Sequence, residues 1–281
     1  MGRKSLREES FKKTVWNFYH SYKRNLPWRQ TTDPYHILVS EIMLQQTQVA
    51  RVLIKYPQFI HTFPSLQKLA QASVKDILRI WQGMGYNRRA LYLSEAARII
   101  GEQYKGIIPD DLFLLDALPG IGQATAASIV VFTFNKPIVF IETNIRRVFI
   151  HHFFANTDEV RDKEILPLVK QTLDYKYPRN WYFALMDYGS YLGKTLVNPN
   201  RKSSNYTVQS AFEGSRRQLR GSMIRLFLHE SYLIKTDIYK KLNKDKTVID
   251  QALNQLVQEG FIKQEGERYG FDETNTHVDK K

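Results

Sequence analysis

The chain has 281 residues, 41 Lys+Arg against 28 Asp+Glu, a formal charge of +13, and no cysteine. That length has room for two domains and a sizeable core, and a content of 43% hydrophobic and 13% aromatic residues excludes a disordered chain. Without Cys, the chain cannot form disulfides, use a thiolate in catalysis, or hold zinc or an iron–sulfur cluster through sulfur, and the excess positive charge favours a polyanionic partner.

The start, MGRKSLREES, has charge but no apolar run behind it, and apolar runs such as Ala126–Phe134 are too short for a bilayer. A soluble, cytoplasmic monomer (nucleoid-associated if bacterial) with no membrane partner is expected. Phe11, Val15, Phe18 and Tyr22 at helical spacing predict a helix over 6–22. LPWRQTTDPY (26–35) is a loop, and Asp33-Pro34 opens a helix over 34–54 that carries Ile37, Leu38, Ile42, Leu44 and Val49. Further helices are predicted near 65–71, 73–82, 87–104, 110–117, 121–133, 142–154, 161–175 and 179–191, with Pro57, Pro64, Gly83, Gly85, Gly106, Pro109, Pro119 and Gly120 as punctuation. Period-2 alternation is scarce before residue 255, so the fold class is all-α in two helical lobes over 1–192.

Residues 193–221 are polar and poor in aliphatics, and 201–225 holds six Lys/Arg against one acid. This reads as a basic linker or arm, with Arg201 and Lys202 as candidate DNA contacts. Residues 222–281 form a compact unit: a helix at 222–230, two more helices, then FIKQEGERYGF as two strands around a Gly turn. That order suits a winged-helix-like DNA-binding module with a recognition helix at 247–259 and a wing at 261–271; a small helical cap with a hairpin is the plainer alternative.

Three stretches carry chemistry. In LPGIGQATA (Leu118–Ala126) two glycines let the backbone approach a ligand, and the helix that follows offers free N–H groups to a phosphate. A lone G-x-G is equally a plain turn. In SEIMLQQTQV (Ser40–Val49), Glu41 shares a helix face with Ile37, Leu38 and Leu44, so poor solvation should raise its pKa and suit it to general-acid work. Glu142, in VFIETNIRRV, follows an apolar strand-like run and opens a helix, where an acid is also favoured simply by the dipole.

LPGIGQATA resembles the hairpin of the helix-hairpin-helix base-excision DNA glycosylase superfamily, whose members carry an acid about twenty residues beyond it; here that residue is Glu142, where Asp is usual. SEIMLQQTQV, PWR (Pro27–Arg29), PYHILVSE and WQGMGYNRRA (Trp81–Ala90) resemble the adenine-specific mismatch glycosylases of the MutY type. The resemblance spans residues 10–192. It implies a catalytic pair, Glu41 and Glu142, with Gln45, Gln46 and Tyr86 entering the base stack, Gly120 and Gly122 gripping a phosphate, and Asn144 matching the block after Glu142. It implies double-stranded DNA with a mispaired adenine as partner. A monovalent cation at the hairpin loop is what it would add as a cofactor.

Three departures follow. The family's four cluster cysteines would fall at Gly193, Asn200, Ser203 and Gln209, so no iron–sulfur cluster is expected. The family's large C-terminal domain is replaced by some sixty residues, which puts 8-oxoguanine recognition in doubt. Ala124 stands where bifunctional members carry Lys, so a monofunctional enzyme without a lyase step is expected. Removal of another mismatched or modified base (thymine, uracil or an alkylated base), and a non-catalytic DNA-binding role, remain as alternatives.

Overall fold

A computed structural model describes residues 3–272, with side chains from Leu6 onward; the end of the module expected over 222–281, residues 273–281, lies outside the described residues. In chain order the helices are α1 (Arg3–Tyr22), α2 (Pro34–Leu44), α3 (Val49–Thr62), α4 (Leu66–Ala70), α5 (Val74–Trp81), α6 (Arg88–Gln103) and α7 (Leu112–Asp116). Then come α8 (Gln123–Phe134), α9 (Thr143–Phe153), α10 (Asp162–Thr172), α11 (Pro178–Thr195), α12 (Arg216–His229), α13 (Lys235–Leu242) and α14 (Lys246–Gln258). Three short strands, β1 (Tyr232–Ile234), β2 (Lys263–Glu265) and β3 (Arg268–Gly270), close the chain. No described helix is long and apolar enough to cross a membrane.

The chain forms two compact units. One comprises Met1–Leu38, Pro109–Ala117 and Ile121–Val208; the other comprises Val39–Ile108, Leu118–Gly120 and Gln209–Lys281. These units cut across the division drawn from composition at residues 192 and 221, because the C-terminal stretch groups with residues 39–108.

In the first unit, α9 and α11 pack closely around Phe149, Val148, Ile145, Trp181, Tyr182 and Leu185, all fully buried, and α1 adds Phe11 and Val15. Gly189 permits this approach: a Cβ there would lie 2.3 Å from the Asn144 carbonyl oxygen on α9. The apolar run before Glu142 pairs with no strand. It is held instead by the Tyr182 hydroxyl, which donates to Ile138 O at 2.8 Å and accepts from Phe140 N at 3.3 Å. The PWR turn is anchored by Asp187, 3% exposed, whose carboxylate receives the Arg24 backbone N–H and guanidinium and, in two-pronged fashion, Arg29. A buried carboxylate needs such partners to remain charged.

In the second unit, Trp81 and Phe59 are fully buried, and Ser65 and Ser73 cap α4 and α5 by accepting from Lys68 N and Asp76 N. The helix expected over 34–54 is broken: α2 ends at Leu44 and α3 begins at Val49, with Gln46 at φ +51 between them. Pro57, expected as punctuation, lies inside α3. The C-terminal part runs α12–β1–α13–α14–β2–β3, with the strands antiparallel in the order β1-β3-β2. This is a winged-helix arrangement with one strand more than the sequence suggested. Its first helix starts at Arg216, capped by Ser215, rather than at 222. The expected recognition helix is α14, capped by Asp245, and the wing turns at Gly266, φ +59.

Candidate active site

The break after α2 builds the first part of the site. At a helix C-terminus the last carbonyls lack intrahelical partners. Here the buried guanidinium of Arg89, at the start of α6, supplies them: Nη1 donates to Ile42 O at 2.9 Å, to Met43 O at 3.0 Å and to Gln45 O. Its other arm, Nη2, donates to Thr47 Oγ1 at 2.9 Å and Gly85 O at 3.1 Å. One cation thus joins the Gln45–Gln48 turn to the Gly83–Tyr86 turn. Burial brings its pKa down to about 10, which leaves it charged at neutral pH. The guanidinium lies 5.4 Å from the Trp81 ring centroid and 5.6 Å from that of Tyr86. Gln46 and Tyr86 both hold positive φ, +51 and +46, rare for residues with a side chain. Both reach the surface, Gln46 exposed and Tyr86 36% exposed.

The hairpin loop adds the second part. Gly120 has φ +75, and a Cβ there would lie 2.8 Å from Tyr92 Cβ, so both conformation and space require glycine. Its carbonyl accepts from Gln45 Nε2 at 3.0 Å, which brings two of the expected residues together. Gly122 forms the N-cap of α8 without a side-chain cap, and a Cβ there would meet nothing within 4 Å; the N-terminal end of such a helix favours an anion.

The carboxylates fall in different units, Glu41 in the second and Glu142 in the first. Glu41 is half-buried on α2 between fully buried Ser40 and Ile42. Glu142 is the N-cap of α9: its Oε1 accepts from Asn144 N at 2.8 Å and Ile145 N at 2.9 Å, and its Oε2 accepts from Asn144 Nδ2 at 3.2 Å. The helix-start role and proximity to Asn144 are therefore both realised. Glu142 is half-buried. Burial pushes its pKa up, against the opposing pull of the two backbone amides and of Arg147 and Arg146.

Arg201 and Lys202 lie in a 3-10 turn, Pro199–Lys202. Arg201 is exposed, whereas the Lys202 ammonium donates to Ala155 O. The residues at the expected cluster positions do not fit a thiolate-held cluster. A Cβ at Gly193 would lie 2.6 Å from the Arg147 guanidinium, which already fills that space. Asn200 donates through Nδ2 to Thr143 O at 2.9 Å and leaves Oδ1 buried without a partner, a neutral oxygen in place of a sulfur anion. Sequence reasoning missed Arg89 and Arg147 as organisers of the site. Both stand inside matched motifs, but only the fold shows which arginine of each pair turns inward.

With this geometry in place, comparison with known proteins is decisive. Residues 39–171 match the HhH-GPD superfamily of base excision DNA repair proteins. That match takes in just under half of the chain, which over those residues is similar to members of that superfamily. The adenine DNA glycosylase of Buchnera aphidicola subsp. Baizongia pistaciae is 36% identical over 185 residues, 64% of this chain and 52% of that protein. That of Mycobacterium tuberculosis is 42% identical over 132 residues, 47% of this chain and 43% of that protein, so the chain spans about half the length of these relatives. A thermostable thymine-DNA glycosylase matches with a TM-score of 0.61 at 26% identity, over 67% of this chain and 88% of its own. Endonuclease III bound to DNA matches with a TM-score of 0.59 at 17% identity, over 70% and 90%, and this likeness bears on the fold alone. The mostly helical fold thus resembles that of HhH-GPD glycosylases.

Proposed function

We propose that this chain is a monofunctional DNA glycosylase of the HhH-GPD type that excises adenine mispaired with guanine or 8-oxoguanine, acting as a monomer in base excision repair. The observation that carries the reading is the Arg89-centred assembly, which presents Gln45, Gln46 and Tyr86 from the segments matched in adenine DNA glycosylases. A base buried in a duplex must leave the stack before chemistry. The +13 charge supplies sequence-independent affinity, and the N-terminus of α8 after Gly122 takes a backbone phosphate. Gln46 and Tyr86, held out of regular helix, fill or widen the gap. Gln45, bonded to the hairpin, ties the gap to the phosphate grip.

Glu41, protonated, donates to N7 of the extruded adenine, which makes the base a neutral leaving group. The C1′–N9 bond then breaks through an oxocarbenium-like state. Glu142 stabilises that cation, or covers it briefly as an ester, before water adds at C1′. Forming the cation beside Glu142 favours the ionised carboxylate against the burial that disfavours it. Ala124 offers no amine, so no Schiff base forms there. A monovalent cation at the hairpin carbonyls fits the loop, since Gly120 O retains a lone pair beside its bond from Gln45. The winged-helix-like module and the exposed Arg201 add further phosphate contacts.

The test is single-turnover excision on a panel of mismatched duplexes. Adenine opposite guanine or 8-oxoguanine should be removed, and Glu41→Gln should abolish removal while DNA binding persists; normal excision by that variant would sink the assigned acid. A second reading, thymine removal, is favoured by the likeness to thymine-DNA glycosylase, and the same panel separates the two.

A further inference from the structure

The C-terminal module is attached to the Tyr86 turn by two separate links. Tyr86 accepts, through its hydroxyl, a hydrogen bond of 3.3 Å from Arg217 Nη1 in the first turn of α12. The other nitrogen of that guanidinium, Nη2, donates to Ser210 O at 2.6 Å and to Ser210 Oγ at 3.3 Å. Two residues beyond Tyr86, Arg88 pairs with Glu259 at the C-terminal end of α14, and Glu259 also receives Arg220 of α12 at 3.2 Å. Burial alone would raise the Glu259 pKa, but the hydrogen bonds from Arg88 and Arg220 outweigh it and hold the carboxylate below its usual range. Both links lie within the second compact unit.

These two links do different things. The Glu259 pairs fix the module against the start of α6. The Arg217 bond reaches the exposed tip of an aromatic ring whose backbone is already fixed by Arg89. A phenol at the surface needs no partner for stability, because water would serve. A ring that enters a base stack, however, needs its plane fixed, since small misplacements of a group that acts in a transition state are expensive. Arg217 holds that ring and at the same time the Ser210–Ala211 arm.

We propose that Arg217 is a positioning residue for Tyr86, and that through it the C-terminal module sets how strongly the enzyme discriminates the base opposite the one it removes. The proposal rests on the function proposed above. The module supplies the support for the inserted ring by its own chemistry, one guanidinium bridging the ring and the arm.

The experiment is a double-mutant cycle on the full chain with Tyr86→Phe, Arg217→Ala and the pair. It is read as single-turnover excision at saturating enzyme against preferred and disfavoured opposing bases, with DNA affinity measured in parallel. Each single variant should slow excision roughly tenfold and compress the opposing-base ratio, while affinity changes less than about threefold. The double variant should be no worse than either single one, because both remove the same bond. Arg217→Lys, which keeps a charged donor but not the planar fork that bridges ring and arm, should recover part of the rate. A fluorescent base analogue opposite the target should report full unstacking with wild type and reduced unstacking with Arg217→Ala. An active wild type whose two single effects multiply in the double variant would overturn this proposal alone. A wild type that excises nothing from the panel would overturn the function and the proposal together.

Discussion

Arg89 is the residue whose loss should be felt most widely. It is 8% exposed, and its guanidinium serves Ile42 O, Met43 O, Gln45 O, Thr47 Oγ1, Met84 O and Gly85 O. Arg89→Met keeps the volume of the stem but removes every donor. The carbonyls at the end of α2 then lack partners in a region closed by Trp81 and Tyr86. Removing one side of a buried charged network costs about 3–5 kcal/mol, whereas summing its seven hydrogen bonds, that from Nε to Tyr86 O included, at ~1.5–3 kcal/mol each would overstate it, since they share one cation. Arg89→Lys retains the charge but has three donors for seven acceptors, so a loss of about 1–3 kcal/mol is expected. Urea denaturation followed by circular dichroism gives the stabilities. Single-turnover excision tests whether the Gln45–Gln48 turn has lost its shape, for which both variants should be at least roughly tenfold slower at saturating enzyme. An Arg89→Met protein within about 1 kcal/mol of wild type and equally active would refute the assignment of Arg89 as organiser.

Other outcomes follow from the same geometry. Gly189→Ala should shift the start of α9, because its methyl would meet the Asn144 carbonyl at 2.3 Å, with a loss of about 1–3 kcal/mol in urea and a matching loss of excision. Gly193→Ala meets only the end of the Arg147 side chain and should be milder in both assays. Glu142→Gln keeps an oxygen to cap α9 but removes a charge whose ionisation burial opposes. It should abolish excision while leaving stability equal or higher, increasingly so as pH rises, because a raised folded-state pKa makes ionisation destabilising at high pH. His152, bonded to the Tyr188 hydroxyl at 3.0 Å, has its pKa lowered from 6.5 to about 4 mainly by burial, helped by His151 and Arg7. Its neutral form stabilises the fold above pH 6.5, and that contribution is lost as pH falls toward 4. The full displacement corresponds to about 3 kcal/mol, reduced to on the order of 1–2 by partial solvent exposure, and His152→Gln should flatten the acid limb of a stability–pH curve.

Most of this architecture is legible in the residues. The apolar periodicity of residues 6–22 and the Ser65 and Ser73 caps locate helices because such signals act locally. The break in α2 is not legible, since Glu41 to Val49 reads as continuous helix until Arg89, more than forty positions away, satisfies the carbonyls that a break exposes. The early start of α12 escaped for a related reason: Arg216, Arg217 and Arg220 look like a charged arm until Glu259 and Tyr86 provide their partners. Pro57 stayed within α3 because the amphipathic face carrying Val52, Tyr56 and Phe59 is buried, and packing outweighs the one hydrogen bond that proline deletes.

The lack of cysteine takes on a local meaning in the segment after α11. At two of the four positions where the resemblance would place sulfur ligands, the side chain binds protein: Asn200 donates to Thr143 O and Ser203 accepts from Asn205 N. Arg147 Nε donates to Asn198 Oδ1 at 3.0 Å, and its Nη1 donates to Asn144 Oδ1 at 2.9 Å and Gly189 O at 2.8 Å. Val160 N donates to Lys202 O at 2.7 Å, Ser204 N donates to Val160 O at 3.0 Å, and Asn200 holds Thr143 O. Thr143 and Asn144 directly follow Glu142, so this loop is fastened to the turn that carries the Glu142 carboxylate. A mutation in residues 198–203 should therefore act on excision as well as on stability. Asn198→Ala is the sharpest case: it deprives Arg147 of one acceptor without touching Glu142, and it should slow excision by more than its effect on urea stability accounts for. Equal activity with reduced stability would mean that the loop is fastened to the site but does not tune it.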